Sequence, residues 1–87
     1  MSDVKNAVRN YIIETFIPGE DPENLTDDLG LIDSGVLDSM ATLTLVEFLE
    51  PTFGIQIDSS DLDPENMGSL NLIESFIARK QQSASGG

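Results

Sequence analysis

Few side chains in this sequence can do chemistry, and the most pointed arrangement is DSGVLDSM, Asp33 to Met40, where two Asp-Ser pairs flank a glycine. A serine beside an acid first raises nucleophilic catalysis. An activated serine needs an adjacent base, usually histidine, and the chain has neither histidine nor cysteine. Lysine could serve only from the chain ends, as Lys5 or Lys80, and the glycine-serine-glycine elbow is missing. No catalytic residue is assigned, and the chain reads as not an enzyme. A calcium loop fails as well. Asp61, Asp63 and Glu65 begin like one, but the sixth and twelfth positions, which require glycine and a carboxylate, hold Asn66 and Leu72. These acids read as solvated surface, and no metal ligand is assigned.

Composition narrows the remaining classes. Eighty-seven residues make one small domain with a modest core. A single folded domain is expected over residues 1–81, with the polar residues 82–87 as a disordered tail. The 39% apolar content suffices for folding, while 16 Asp plus Glu against 4 Lys plus Arg give a net charge of -12. That charge excludes nucleic acid and anionic membranes as partners. No basic residue lies between Asn10 and Ala78, so any partner surface in the middle of the chain is acidic. No apolar run approaches the ~18 residues of a membrane span, and the N-terminus lacks the apolar stretch of a secretory signal. A cytoplasmic monomer is expected.

The elements that must position Asp33 to Met40 are helical. Val4, Ala7, Val8, Tyr11, Ile12 and Phe16 form one face of a first helix, with Ser2 or Asp3 as its cap and Pro18-Gly19 as its end. Gly19 to Asp38 is a long loop, but Leu25, Leu29, Leu31, Ile32, Val36 and Leu37 fasten it to a core. A second helix starts at Asp38 or Ser39, with Thr42, Leu45, Val46, Leu49 and Phe53 inward and Pro51 ending or kinking it. DPEN occurs at Asp21 to Asn24 and again at Asp63 to Asn66, each a short helical turn with Asp as cap and proline first. The last helix spans roughly Ser69 to Gln81. Leu70, Ile73, Phe76 and Ile77 face inward, and Arg79 and Lys80 stand at the negative end of its dipole.

The stretch LIDSGVLDSMATLTLVEFLEPTFGI, together with the order helix, long loop, helix, short helix, helix, resembles acyl carrier and peptidyl carrier proteins. The resemblance covers Val4 to about Arg79. It implies an all-α four-helix bundle of acyl-carrier type, with a long loop between helices one and two. It further implies that Ser39 carries 4'-phosphopantetheine through a phosphodiester and presents an acyl or aminoacyl group as a thioester. In such carriers the base and magnesium for attachment belong to a separate phosphopantetheinyl transferase, which explains a functional serine without histidine. An acyl- or aminoacyl-activating ligase and a downstream acyl-accepting enzyme with a basic docking surface complete the implied partners. A phosphodiester there would sit where the helix N-terminus favours an anion. The competing reading is a small acidic interaction or metal-binding protein in which Ser39 or Asp38 only caps the helix.

Met40 and Leu43 fall opposite the inward stripe and form a docking patch, framed by Glu47 and Glu50; the alternative is a wider core face. Fatty-acid carriers commonly place a glycine three residues before the serine and acids along helix two. Here Val36 holds that position, Gly35 lies one residue earlier, and Ala41 and Thr44 stand where acids are frequent. LIDSGVLDSM is closer to discrete D-alanyl and other aminoacyl carriers. The initial Met and the few linker residues point to a free-standing chain.

Overall fold

The computed structural model describes residues 3–86, with side chains as far as Gln82. Four helices follow one another: α1 (Asp3–Phe16), α2 (Ser39–Phe53), α3 (Pro64–Met67) and α4 (Leu70–Gly86). Short 3-10 turns at Pro22–Asn24 and Ser59–Asp61 interrupt the connections, and no strand occurs among the described residues. This is the expected all-α four-helix arrangement with a long loop after α1.

Apolar stripes from α1, α2 and α4 meet in one core, where Val8, Ile12, Leu45, Leu49, Ile73 and Ile77 are almost wholly removed from water. The long loop contributes to that core in its own right. Leu25, Leu31 and Leu37 are buried in it, and Leu29, Ile32 and Val36 pack against it. Backbone bonds reinforce the anchoring, since Leu31 N–H donates to Gly68 O at 2.7 Å and Asn71 N–H donates to Asp27 O at 3.0 Å. Both DPEN segments form their expected turns: Asp21 accepts from Glu23 N–H at 2.9 Å, and Asp63 accepts from Asn66 N–H at 3.0 Å.

Several inward positions differ from the sequence expectation. On α1, Ile13 is buried while Ala7 stays at the margin; Ser2, the alternative cap, lies outside the described residues. On α2, Val46 is partly buried but does not pack against the core, and Phe48 does so instead, its ring stacked on Tyr11 at 4.1 Å between centroids. Pro51 neither ends the helix nor isolates its last turn. It removes one backbone donor, yet α2 continues to Phe53 because Gly54, at φ 66°, turns left-handed and donates its N–H to Glu50 O.

The four cations knit the chain ends to the loops. Lys5 pairs with Asp27 at 3.1 Å and reaches Glu74 at 3.8 Å. Arg9 pairs with the same aspartate and donates to Leu25 O at 2.9 Å. Its hydrogen bond from the Lys5 ammonium, joined by the charges of both cations, holds the Asp27 carboxyl below its ordinary pKa. Lys80 pairs with Asp61 at 2.8 Å, and this hydrogen bond, followed by that from Asp58 N–H, likewise lowers Asp61. Arg79 donates to the Asn66 side chain at 2.9 Å. Arg79 and Lys80 are therefore not dipole caps as expected. The helix runs past Gln81 to Gly86, so both cations stand before its last turn, where alone the dipole acts.

Candidate functional site

The approach to α2 is set by a turn at Gly35, whose φ of 87° suits glycine. Leu37 N–H then donates to Leu31 O at 3.0 Å, bringing the chain back over the core and delivering Asp38 to the helix start. Asp38 caps α2: its carboxylate accepts from Ala41 N–H at 2.8 Å, and its carbonyl accepts from Thr42 N–H at 2.9 Å and from the Thr42 hydroxyl at 2.8 Å. Ser39 is the first residue of the helix itself and is exposed. The cap position is filled by its neighbour, so the Ser39 hydroxyl is spare for chemistry at an end where helix N–H groups favour an anion.

Beside Ser39 a groove of about 590 Å³ runs between the loop, the start of α2 and the α3 segment. Ile32, Leu37, Leu43, Leu62 and Met67 give it apolar walls, and Asp38 and Thr42 also line it. On the outer face of α2, Met40 is 75% exposed and Leu43 is 55% exposed, as the docking-patch reading requires. The sequence reading missed Val46, which follows Ser39 and Leu43 at helical spacing on that same outer face. Glu47 is exposed beside the patch. Glu50 is not a frame for it, because its carboxylate turns back to accept from Ile57 N–H at 2.9 Å. The acids Asp61, Asp63 and Glu65 do not converge, and no group of three or more potential metal ligands occurs among the described residues.

An exposed serine that caps nothing, at the head of a helix beside an apolar groove, is the geometry expected for a prosthetic-group attachment point. The family described as "Phosphopantetheine attachment site" matches residues 12–75, most of the chain. The chain belongs to this phosphopantetheine-binding carrier family. A D-alanyl carrier protein from Streptococcus suis is 40% identical over 75 residues, which span 86% of this chain and 91% of that relative. A D-alanyl carrier protein from Lactococcus lactis subsp. cremoris is 36% identical over 69 residues, spanning 79% and 86%. Among solved structures, the holo acyl carrier protein of Nitrosomonas europaea superposes with a TM-score of 0.76 at 26% identity, covering 93% of this chain and 99% of that one. The structure of KstB-PCP(apo) gives a TM-score of 0.73 at 32% identity, covering 92% of each chain.

The protein is thus a carrier whose cofactor is covalent 4'-phosphopantetheine, on which an acyl group is held as a thioester. The competing reading of a small acidic interaction or metal-binding protein has no support from these matches. The residues present fit the group, since a spare hydroxyl can form the phosphodiester and the open groove leaves room beside it. No helix is long and apolar enough to cross a membrane among the described residues.

Proposed function

We propose that Ser39 is the attachment residue and that this carrier is a free-standing aminoacyl carrier with D-alanine as its cargo. The observation that carries the attachment is the division of labour at α2: Asp38 caps the helix and Ser39 stands exposed beside it. The D-alanyl carrier relatives and the LIDSGVLDSM pattern support the cargo. The Gly35 turn does too, because its left-handed φ ties the glycine to a position four residues before the serine, unlike the fatty-acid pattern. The carrier domain occupies residues 1–81 of a cytoplasmic protein that has no catalytic residues of its own. A phosphopantetheinyl transferase installs the arm, an aminoacyl-activating ligase charges its thiol, and an acceptor enzyme with a basic docking surface takes the aminoacyl group.

Co-production with a transferase, followed by intact-mass measurement, tests the attachment. The native protein should gain one phosphopantetheinyl group and Ser39→Ala none, at unchanged helix content. Modification retained by Ser39→Ala, or mapped to Ser34 or Ser60, overturns the assignment. The cargo is tested by offering the holo protein to its host ligase with ATP and either D- or L-alanine. A D-alanyl thioester is expected, and exclusive charging with another acid overturns the cargo.

A further inference from the structure

Leu72 is anomalous for its neighbourhood. It lies in the first turn of α4 and is 40% exposed, whereas Leu70 and Ile73 beside it are fully buried. It borders a depression of about 250 Å³, separate from the groove at Ser39, whose lining includes Ile32, Pro64, Asp28 and Asp33. Ile32 and Pro64 also line the groove at Ser39. The two depressions therefore adjoin at Ile32 of the loop and Pro64 of α3, with Leu43 of α2 on one side and Leu72 of α4 on the other. The charged residues lining the depression are Asp28 and Asp33, and the chain offers no Lys or Arg between Asn10 and Ala78.

We propose that this surface is a second docking contact, used by the enzyme that loads the arm. Its chemistry calls for an apolar side chain seated on Leu72, Ile32 and Pro64, between Lys or Arg side chains that face Asp28 and Asp33. This inference rests on the reading that Ser39 bears the arm. The choice of partner follows from where each reaction takes place. The transferase acts on the Ser39 hydroxyl and must bring its centre over that atom. The loading enzyme acts on the thiol at the far end of the arm, so its centre lies an arm's length away and its body can rest on a face displaced from α2. Contact with the Met40 and Leu43 patch alone leaves the carrier free to swivel. A second contact across the groove fixes the direction in which the arm leaves.

The experiment compares native protein, Leu72→Ala and the double variant Asp28→Asn, Asp33→Asn in two steps. Apo-to-holo conversion by the transferase is followed by mass, and loading of the holo forms by the ligase with ATP and D-alanine is followed as thioester. Leu72→Ala should lower loading kcat/KM by about 5- to 30-fold, chiefly through KM, as for an apolar anchor at an interface. Its conversion by the transferase should stay within about twofold of native. The double variant should load more slowly at low salt and show a flatter salt dependence. Unchanged loading of Leu72→Ala overturns the proposal, and so does an equal loss in both steps, which marks a general effect on the fold. If Leu72→Ala does not fold, the double variant decides, and a native salt dependence overturns the proposal. Failure of the native protein to take the arm at Ser39 overturns the attachment reading and this contact with it, whereas native loading with unaffected variants overturns the contact alone.

Discussion

Replacing Asp38 by alanine should destabilise the domain, while replacing Ser39 should not. The Asp38 carboxylate accepts from Ala41 N–H at 2.8 Å, so Asp38→Ala strips a partner from one of the helix donors that have none inside the helix. Loss of such a cap costs about 1 kcal/mol. The same substitution removes a negative charge from the positive end of the α2 dipole, worth about 0.3–1 kcal/mol at an exposed site. The two overlap, which puts the total at about 1–2 kcal/mol. In a domain of this size each kcal/mol moves the melting temperature by about 4–8 °C, so the expected fall is on the order of 5–15 °C. Ser39→Ala breaks no capping bond and should change stability by less than about 0.5 kcal/mol, as for an ordinary surface substitution. Asp38→Asn keeps the acceptor and should recover most of the cap. Thermal unfolding of the apo proteins by circular dichroism reads all three. A loss for Ser39→Ala equal to that for Asp38→Ala would show that the serine caps the helix, and would remove the structural ground for treating its hydroxyl as spare.

Leu43→Ala and Leu49→Ala should separate docking from folding on the same helix. Leu49 is fully buried and should cost about 2–5 kcal/mol of stability in urea unfolding, whereas Leu43, 55% exposed, should leave stability nearly intact and instead weaken partner binding by about 1–3 kcal/mol. Acid stability should depend on Asp27 and Asp61. Their folded pKa values lie below the ordinary carboxylate value, so each contributes stability that is present above about pH 4 and is lost as pH falls through the folded value. Asp27→Asn should therefore flatten the acid limb of stability against pH, and an unchanged limb would show that its pairing with Lys5 and Arg9 adds nothing. With net charge -12 and only four cations, all engaged with acids or amides, self-repulsion opposes compaction. Added salt or magnesium should raise the melting temperature at neutral pH, and a flat response would refute that account.

The sequence by itself determined whatever depends on neighbours along the chain. Asp before proline in DPEN makes a capped turn in both copies, because the cap and the fixed proline φ act over three residues. The leucines of the long loop, too apolar to stay in water, had to reach the core wherever it lay. The Asp-Ser pair ahead of an apolar helix located the candidate site in the same way. Tertiary structure decided what depends on distant partners. At 3.6 residues per turn, Val46 and Phe48 lie at nearly equal angles, roughly 80°, on either side of the line through Leu45 and Leu49, so periodicity on α2 could not choose between them. Tyr11, from another helix, chose by stacking on Phe48, and that left Val46 on the outer face with Ser39 and Leu43. The same holds for the cations. Their positions near the chain ends are plain in the sequence, but Lys5 and Arg9 converge on Asp27, and Lys80 on Asp61, only because the packed helices bring those loops within reach. Whether Asp38 or Ser39 caps α2 was open because both side chains carry a suitable acceptor. The return of Leu37 to Leu31 O fixed the angle at which the chain enters the helix, and with that angle Asp38 became the cap and Ser39 remained exposed.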